Sequence, residues 1–246
     1  MASGRVLVSG APANKPSRLV SPADALVVLF DGPRFVSRGG DNLDRALESL
    51  AVSVLGRRAL DVGSSTGGFV DCLLRRGATQ VLAVDVGRGQ LDPRLRSDPR
   101  VVVHEGCNIR SVGSTVLGAD GPVDIVTADL SFISLRTVAT SLIGLLRPGG
   151  DLVALVKPQF EVGRIEASRT KGIIRDPELW REAMLGVASA LTDAGTGIMG
   201  AVVSELPGSA GNREFFLHAV PGAPPTPGED IAAMVQRSVE SATADH

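Results

Sequence analysis

The stretch from Arg57 to Leu74, R-R-A-L-D-V-G-S-S-T-G-G-F-V-D-C-L-L, decides the fold class. Leu60 and Val62 close a short apolar run, Gly63, Gly67 and Gly68 open a turn, and Phe69, Val70, Leu73 and Leu74 recur at helical spacing. A buried strand, a glycine turn and a helix in that order make the first crossover of an α/β sheet. Ligands of such sheets bind in the crevice at the strand's carboxyl end, and glycines there let a ligand approach the backbone.

The spacing is neither the dinucleotide fingerprint G-x-G-x-x-G nor a P-loop, which needs Gly-Lys-Ser/Thr after the turn. Asp61, at the strand end, would repel a pyrophosphate. It suits a ligand carrying an ammonium and a sulfonium, as S-adenosylmethionine does. A glycine turn that only packs helix on strand is the alternative. Asp85 ends the next apolar run, Val81-Leu82-Ala83-Val84, about where an acidic residue takes the ribose hydroxyls of an adenosine. An acid in that position is also a common turn former.

With 246 residues and 43% hydrophobic content, the chain can build one full α/β domain with something small beside it. No apolar run approaches the roughly 20 residues of a membrane helix, and the start M-A-S-G-R-V has no signal-peptide hydrophobic region, so a soluble, cytoplasmic protein is expected. Cys72 and Cys107 indicate neither a disulfide framework nor a metal site, and burial is the expected role of both. A net charge of −2 does not advertise a nucleic-acid binder, so any such binding rests on a local patch. Of 25 basic residues only Lys15, Lys157 and Lys171 are lysines, which makes each informative. With no Tyr and few aromatics, base stacking on aromatic platforms is not expected.

Residues 1–33 read as two short strands, R-V-L-V-S-G-A-P and A-L-V-V-L-F-D-G-P, around N-K-P-S-R. Phe35 to Leu47 is an entry turn, with Arg38, leading into a helix with Leu43, Ala46, Leu47 and Leu50 inward. After Asp85 comes a glycine-containing loop with Arg88, Arg94, Arg96 and Arg100, read as a solvated face or as an RNA-phosphate patch. Val101–Val103 form a strand, and Asn108 after it either meets an adenine edge or caps a helix. Val123–Ala128 form another, with Asp129 at its carboxyl end, where catalytic groups collect. A helix is expected from about Ser134 to Leu146, and strand Asp151–Val156 runs into Lys157-Pro158-Gln159-Phe160-Glu161. A lysine there points to an amine whose protonation state matters, with snorkelling to solvent as the alternative. A polar lid loop, a helix from Asp176 to Asp193, a closing hairpin of Ile198–Ser204 and Glu214–Ala219, and a Pro/Gly tail with a short helix at Ile231–Val239 complete the chain.

The ordered set S-R-G-G, D-V-G-S-S-T-G-G-F, V-D-V-G-R-G-Q-L, D-L-S-F-I-S-L, K-P-Q-F-E-V-G, K-G-I-I-R-D-P and G-N-R-E-F-F-L, across about residues 35–220, resembles the TlyA branch of the FtsJ-like methyltransferases. The resemblance implies a Rossmann-like class I methyltransferase, α/β, with a seven-stranded sheet whose last strand is antiparallel. It implies a methyltransferase domain at 34–220, preceded at 1–33 by a hairpin like the end of an S4 RNA-binding domain and followed by a tail from 221. It further implies S-adenosyl-L-methionine as cofactor, ribosomal RNA or a ribosomal subunit as partner, and cytidine ribose as the 2′-O-methylated substrate. Family members are often labelled haemolysins, yet no segment here supports pore formation. Cofactor contacts are expected from Asp61, Gly63, Ser64, Gly67, Gly68, Asp85 and Asn108. Of the family's lysine, aspartate, lysine, glutamate tetrad, Asp129, Lys157 and Glu214 carry over as catalytic residues, while Asn42 stands at the first lysine and Arg88 where an aromatic is frequent. A small-molecule O-methyltransferase and an RNA-binding paralogue impaired by Asn42 stay open as alternatives.

Overall fold

The computed structural model describes residues 6–13, 15, 17–28, 34–208 and 211–244. The chain forms two compact units, Met1–Arg34 and Phe35–His246. In the first, β1 (Val6–Val8) pairs antiparallel with both β2 (Ala11–Pro12) and β3 (Leu26–Val28). Three strands thus stand where two were expected, because Ser9 and Gly10, both at positive φ, turn the chain straight back into β2. The expected continuation of the second strand through residue 33 lies outside the described residues, as do Asn14 and Pro16.

The second unit is built on a seven-stranded sheet. Its strands are β4 (Arg58–Val62), β5 (Gln80–Asp85), β6 (Val101–Glu105), β7 (Val123–Ala128), β8 (Leu146–Val156), β9 (Thr196–Val203) and β10 (Phe215–Pro221). Their order is β6-β5-β4-β7-β8-β10-β9. Strands β4 to β8 are parallel, and β10 runs antiparallel between β8 and β9. The helices are α1 (Arg38–Ser49), α2 (Gly68–Arg75), α3 (Pro93–Arg96), α4 (Ser114–Leu117), α5 (Ala139–Ile143), α6 (Pro158–Glu161), α7 (Arg164–Arg169), α8 (Pro177–Asp193) and α9 (Gly228–Ala244).

Strand periodicity divides the core in two. Leu152, Ala154 and Val156 of β8, with Phe215 and Leu217 of β10, face a cluster containing Trp180, Met184 and Val235. Val153, Leu155 and Phe216 face the other, which holds Leu43, Leu47, Phe69 and Leu73 from α1 and α2. Of the expected inward face of α1, Leu43 and Leu47 are fully buried and Leu50 half-buried.

Three expectations change in detail. The helix expected over 134–146 is a 3-10 turn, Leu135–Thr137, followed by the short α5. It breaks at Val138, whose φ of −123° and ψ of 4° are not helical, and β8 already begins at Leu146. Residues 147–150 loop out of the ladder, since Val123 pairs with Leu146 and Ile125 with Asp151. The expected lid loop contains α7, and the last helix is longer than the apolar run Ile231–Val239 implied. That helix, α9, buries Ile231, Val235, Val239 and Ala242 in the sheet's core, with an apolar spacing of one helical face. Among the described residues no helix is long and apolar enough to cross a membrane.

Candidate active site

Two adjoining cavities open at the carboxyl ends of the parallel strands. They share Gly63, Ser65, Asp129 and Ser131. The first, about 350 Å³, collects Arg38 and Asn42 of α1, Ser64 and Thr66 of the glycine turn, Asp129, Lys157, Glu214 and the segment Leu206-Pro207-Gly208. The second, about 470 Å³, is walled by Val62, Val84, Leu130 and Ile133, with Asp85, Cys107 and Asn108 at its rim.

In the parallel register Ala128 of β7 is level with Ala154 of β8, so Lys157 leaves β8 two residues beyond the level of Asp129, and the two side chains close that step. Lys157 Nζ lies 2.5 Å from Asp129 Oδ1 as an ion pair without hydrogen-bond alignment, and it donates to Ser131 Oγ at 3.1 Å. Snorkelling does not describe this lysine, whose side chain is only 12% exposed. Glu214 enters from the strand lying between β8 and β9. Burial pushes its carboxyl above the usual range, against the pull of Lys157, the push of Asp129, a hydrogen bond from Gln159 and the pull of Arg38. The three residues carried over as catalytic therefore line one cavity. So does Asn42, 93% buried and bonded to the Ser204 hydroxyl at 2.7 Å.

The loops carrying Asp129 and Lys157 are pinned to each other. Glu161 accepts Ser134 Oγ–H at 2.5 Å and Leu135 N–H at 2.7 Å, and the Phe132 and Phe160 rings pack at 5.2 Å. Phe132 is 92% exposed and holds a φ of 64°, a left-handed conformation rare for a bulky residue. Sequence reasoning discounted aromatic platforms and missed it. It also missed Ser131 and Glu161, although all three lie inside the motifs D-L-S-F-I-S-L and K-P-Q-F-E.

The glycine turn is tightly packed, and Gly63 and Gly68 line the first cavity. A Cβ at Gly63 would overlap the carbonyl of Asp129, one at Gly67 would meet Leu95 and Leu91, and one at Gly68 the Ser37 hydroxyl. These positions are filled by the protein's own packing, and Gly67 lines neither cavity. Asp61 also lines neither. It is fully buried, accepts from Thr127 Oγ1 at 2.7 Å through one oxygen and leaves the other without a partner among the described residues. Burial above all, with the neighbouring Asp129 and Asp85 and against the Thr127 bond, raises its pKa to about 7.

Asp85 fits a diol. Its oxygens accept Ser65 N–H at 2.8 Å and Gly87 N–H at 2.6 Å, which leaves further lone pairs at the rim of an apolar pocket wide enough for a purine. Asn108 caps the 3-10 turn Ile109–Ser111, its side chain accepting Arg110 N–H, and it also lines the second cavity. Cys107 lines that cavity as well, half-exposed rather than buried. Arg94, Arg96 and Arg100 are ion-paired with Asp92, Glu105 and Asp98, which favours the solvated-face reading for those three. Among the described residues no cluster of ligating side chains is arranged for a metal.

A parallel sheet with an antiparallel strand inserted beside its edge, a glycine turn after the first strand and an acid after the second define a Rossmann-like class I methyltransferase. Residues 35–220 match the FtsJ-like methyltransferase family, and the chain belongs to it. A relative from Mycobacterium tuberculosis, the 16S/23S rRNA (cytidine-2′-O)-methyltransferase TlyA, is 49% identical over 216 residues, which is 87% of this chain and 80% of the relative. A solved structure of a Streptococcus thermophilus protein described as a hemolysin is 33% identical, with a TM-score of 0.79 over 99% of this chain and 89% of that one. An S-adenosylmethionine dependent methyltransferase from Mesorhizobium loti shares the fold alone, at 17% identity and a TM-score of 0.53 over 75% of this chain and all of that one.

Proposed function

We propose that the protein transfers a methyl group from S-adenosylmethionine to the 2′-hydroxyl of a cytidine ribose in ribosomal RNA, in the cytoplasm. The observation that carries this reading is the Lys157, Asp129 and Glu214 cluster in a cavity joined through Gly63 and Ser65 to the pocket of Asp85. The M. tuberculosis relative, a 16S/23S rRNA (cytidine-2′-O)-methyltransferase, supports the substrate.

In this reading Asp85 takes the cofactor's ribose hydroxyls, Asn108 and the apolar walls hold its adenine, and Ser64 with the glycine-turn backbone receives its amino-acid end. Gly63, Gly67 and Gly68 shape that turn, and Asp61 acts from beneath it. When bound, the cofactor supplies an electrophilic methyl group on a sulfonium. The protein must then align the ribose oxygen and receive its proton, and both tasks favour a fixed polar group in a shielded cavity. Lys157 is assigned to the hydroxyl, held by Asp129 and Ser131, with Glu214 fixing the far side. The exposed Phe132 ring offers a stacking face to an unstacked base.

Calorimetry with S-adenosylhomocysteine tests the first half: micromolar binding that Asp85→Ala weakens at least tenfold is expected, and no binding at millimolar ligand overturns it. Incubation with labelled methyl donor and ribosomal subunits, naked ribosomal RNA or cell metabolites tests the second. Label on a cytidine 2′-oxygen is expected. Label on a small molecule instead would establish the rival O-methyltransferase reading.

A further inference from the structure

The segment after β7, residues 129–137, and the segment after β8, residues 157–162, leave adjacent parallel strands whose pairing stops at Ala128 and Ala154. Past that point no backbone hydrogen bond joins the two segments among the described residues, and Asp129 N–H turns instead to Val62 O of β4 at 3.0 Å. Side chains must therefore hold Asp129 and Lys157 together, and they do so at three points. At the near end Lys157 meets Asp129 and Ser131, in the middle the Phe132 and Phe160 rings pack, and at the far end Glu161 accepts Ser134 Oγ–H and Leu135 N–H.

The three points differ in strength. The contact of Lys157 with Asp129 lacks hydrogen-bond alignment, and the Phe132 ring stands in solvent. Glu161 is 9% exposed, and each of its carboxylate oxygens accepts from a donor of the facing segment, in bonds strengthened by charge and by the exclusion of water. Leu135, which gives one of them, is itself buried in the core beneath the sheet. Burial pushes the Glu161 carboxyl above the usual range, against the pull of those two bonds and of Arg136. Burying a carboxylate is costly. Capping of the 3-10 turn does not by itself account for it, because Ser134 already caps that turn by accepting Arg136 N–H. What the Glu161 bonds add is closure: residues 129–134 and 157–161 become a ring tied at both ends. Closure also accounts for the left-handed φ of Phe132, since strain of that kind persists only where the surroundings over-determine it.

We propose that Glu161 is a positioning residue for the methyl transfer: it lines neither cavity, and by clamping the segment of Asp129 to the segment of Lys157 it fixes the direction in which the Lys157 amine meets the acceptor hydroxyl. This rests on the assignment of Lys157 to that hydroxyl made above. A misplacement of about 1 Å beside the reacting atoms costs on the order of a hundredfold in rate, so a clamp outside the cavities has kinetic consequences.

The chain has three lysines, so the Lys157 side chain can be followed directly. The experiment measures carbon relaxation at lysine Cε in the full chain carrying isotope-labelled lysine, for wild type, Glu161→Ala, Glu161→Gln and Ser134→Ala, with Lys157→Arg assigning the signal. Single-turnover methyl transfer to ribosomal RNA and S-adenosylhomocysteine affinity are measured in parallel. Glu161→Ala is expected to lower the Lys157 order parameter by about 0.2 or more while Lys15 and Lys171 stay unchanged. Its single-turnover rate is expected to fall about tenfold to a hundredfold, with cofactor affinity within about threefold of wild type. Glu161→Gln keeps one acceptor oxygen and is expected to restore part of both. Ser134→Ala removes one bond from the facing side, guards against misfolding of Glu161→Ala, and is expected to loosen Lys157 to a smaller degree. A lowered melting temperature with Lys157 mobility and rate unchanged would show a merely structural role and overturn the proposal, as would a rate loss without loosening of Lys157. Loosening of Lys157 in a protein whose wild type methylates no acceptor would uphold the clamp and overturn the methyltransferase reading itself.

Discussion

Lys157, in a chain that otherwise uses arginine, is where substitution discriminates most sharply. Lys157→Arg keeps a cation beside Asp129 but gives up an amine able to take a proton, because a guanidinium is effectively always charged. Both Lys157→Arg and Lys157→Ala are expected to lower single-turnover rates at least a hundredfold while S-adenosylhomocysteine affinity stays within about threefold. An active Lys157→Arg enzyme would reject the proton-accepting role. Asn42→Lys places a second amine in the same cavity, and its expected effect is a faster rate at pH 7 than wild type. It forfeits the buried bond to Ser204, so a loss of about 1 kcal/mol in urea unfolding should accompany the gain. Asp61 gives a pH signature. Its folded pKa of about 7 lies above the ordinary 3.8, so the folded state keeps a proton that the unfolded state releases between those values. Stability contributed by this group is full below about pH 4 and is lost as pH rises through 7. Asp61→Asn can keep the Thr127 bond without the buried charge, and it is expected to gain stability over wild type at pH 8 but not at pH 4, by on the order of 1.4 kcal/mol per unit of pKa shift. Equal differences in melting temperature at both pH values would reject this account.

At the scale of elements, what could be read in advance followed the strength of the local pattern. Strand β7 and the end of α8 fall where alternation, the Asp-Pro start and helical spacing put them, because these segments pack against the sheet along their whole length. The region 134–150 did not, since one apolar run served a 3-10 turn, a five-residue helix and the start of β8, and only the pairing of Val123 with Leu146 distinguishes them. The glycine turn was found but its packing was not, because sequence cannot say that a missing Cβ also makes room for Asp129 and Leu95. Pairing of Arg94, Arg96 and Arg100 with nearby acids was equally invisible to a count of charges. α9 looked like a tail because its apolar residues are few, yet Val235 is fully buried and Ile231 and Val239 nearly so. Each such side chain stabilises by roughly 1.5 to 3 kcal/mol. Deletion of residues 228–246 is therefore expected to lower the melting temperature by more than 10 °C and to increase binding of a hydrophobic dye. A truncated protein melting within 2 °C of the full chain would show the helix to be dispensable.

For the molecule as a whole, the family, and with it a seven-stranded sheet with an antiparallel last strand, were readable because the seven motifs occur in one order along the chain, while the geometry joining them was not. Asp129, Lys157 and Glu214 are far apart in sequence and meet only through β7, β8 and β10. The division at Arg34 and Phe35 leads to one further expectation: residues 35–246 alone should bind S-adenosylhomocysteine and melt cooperatively within about 5 °C of the full chain. Loss of cooperative melting would mean that the second unit does not fold independently.

The insertion of β10 between β8 and β9 also sets a schedule for biosynthesis. Most of the sheet grows by adding neighbours as the chain emerges, but the slot beside β8 waits for the strand made last. Glu214 immediately precedes that strand, so it is the final member of its cluster to arrive. A nascent chain can hold Asp129 and Lys157 in place while its cavity still lacks one wall. Competence is thereby deferred until the last strand of the sheet has been made.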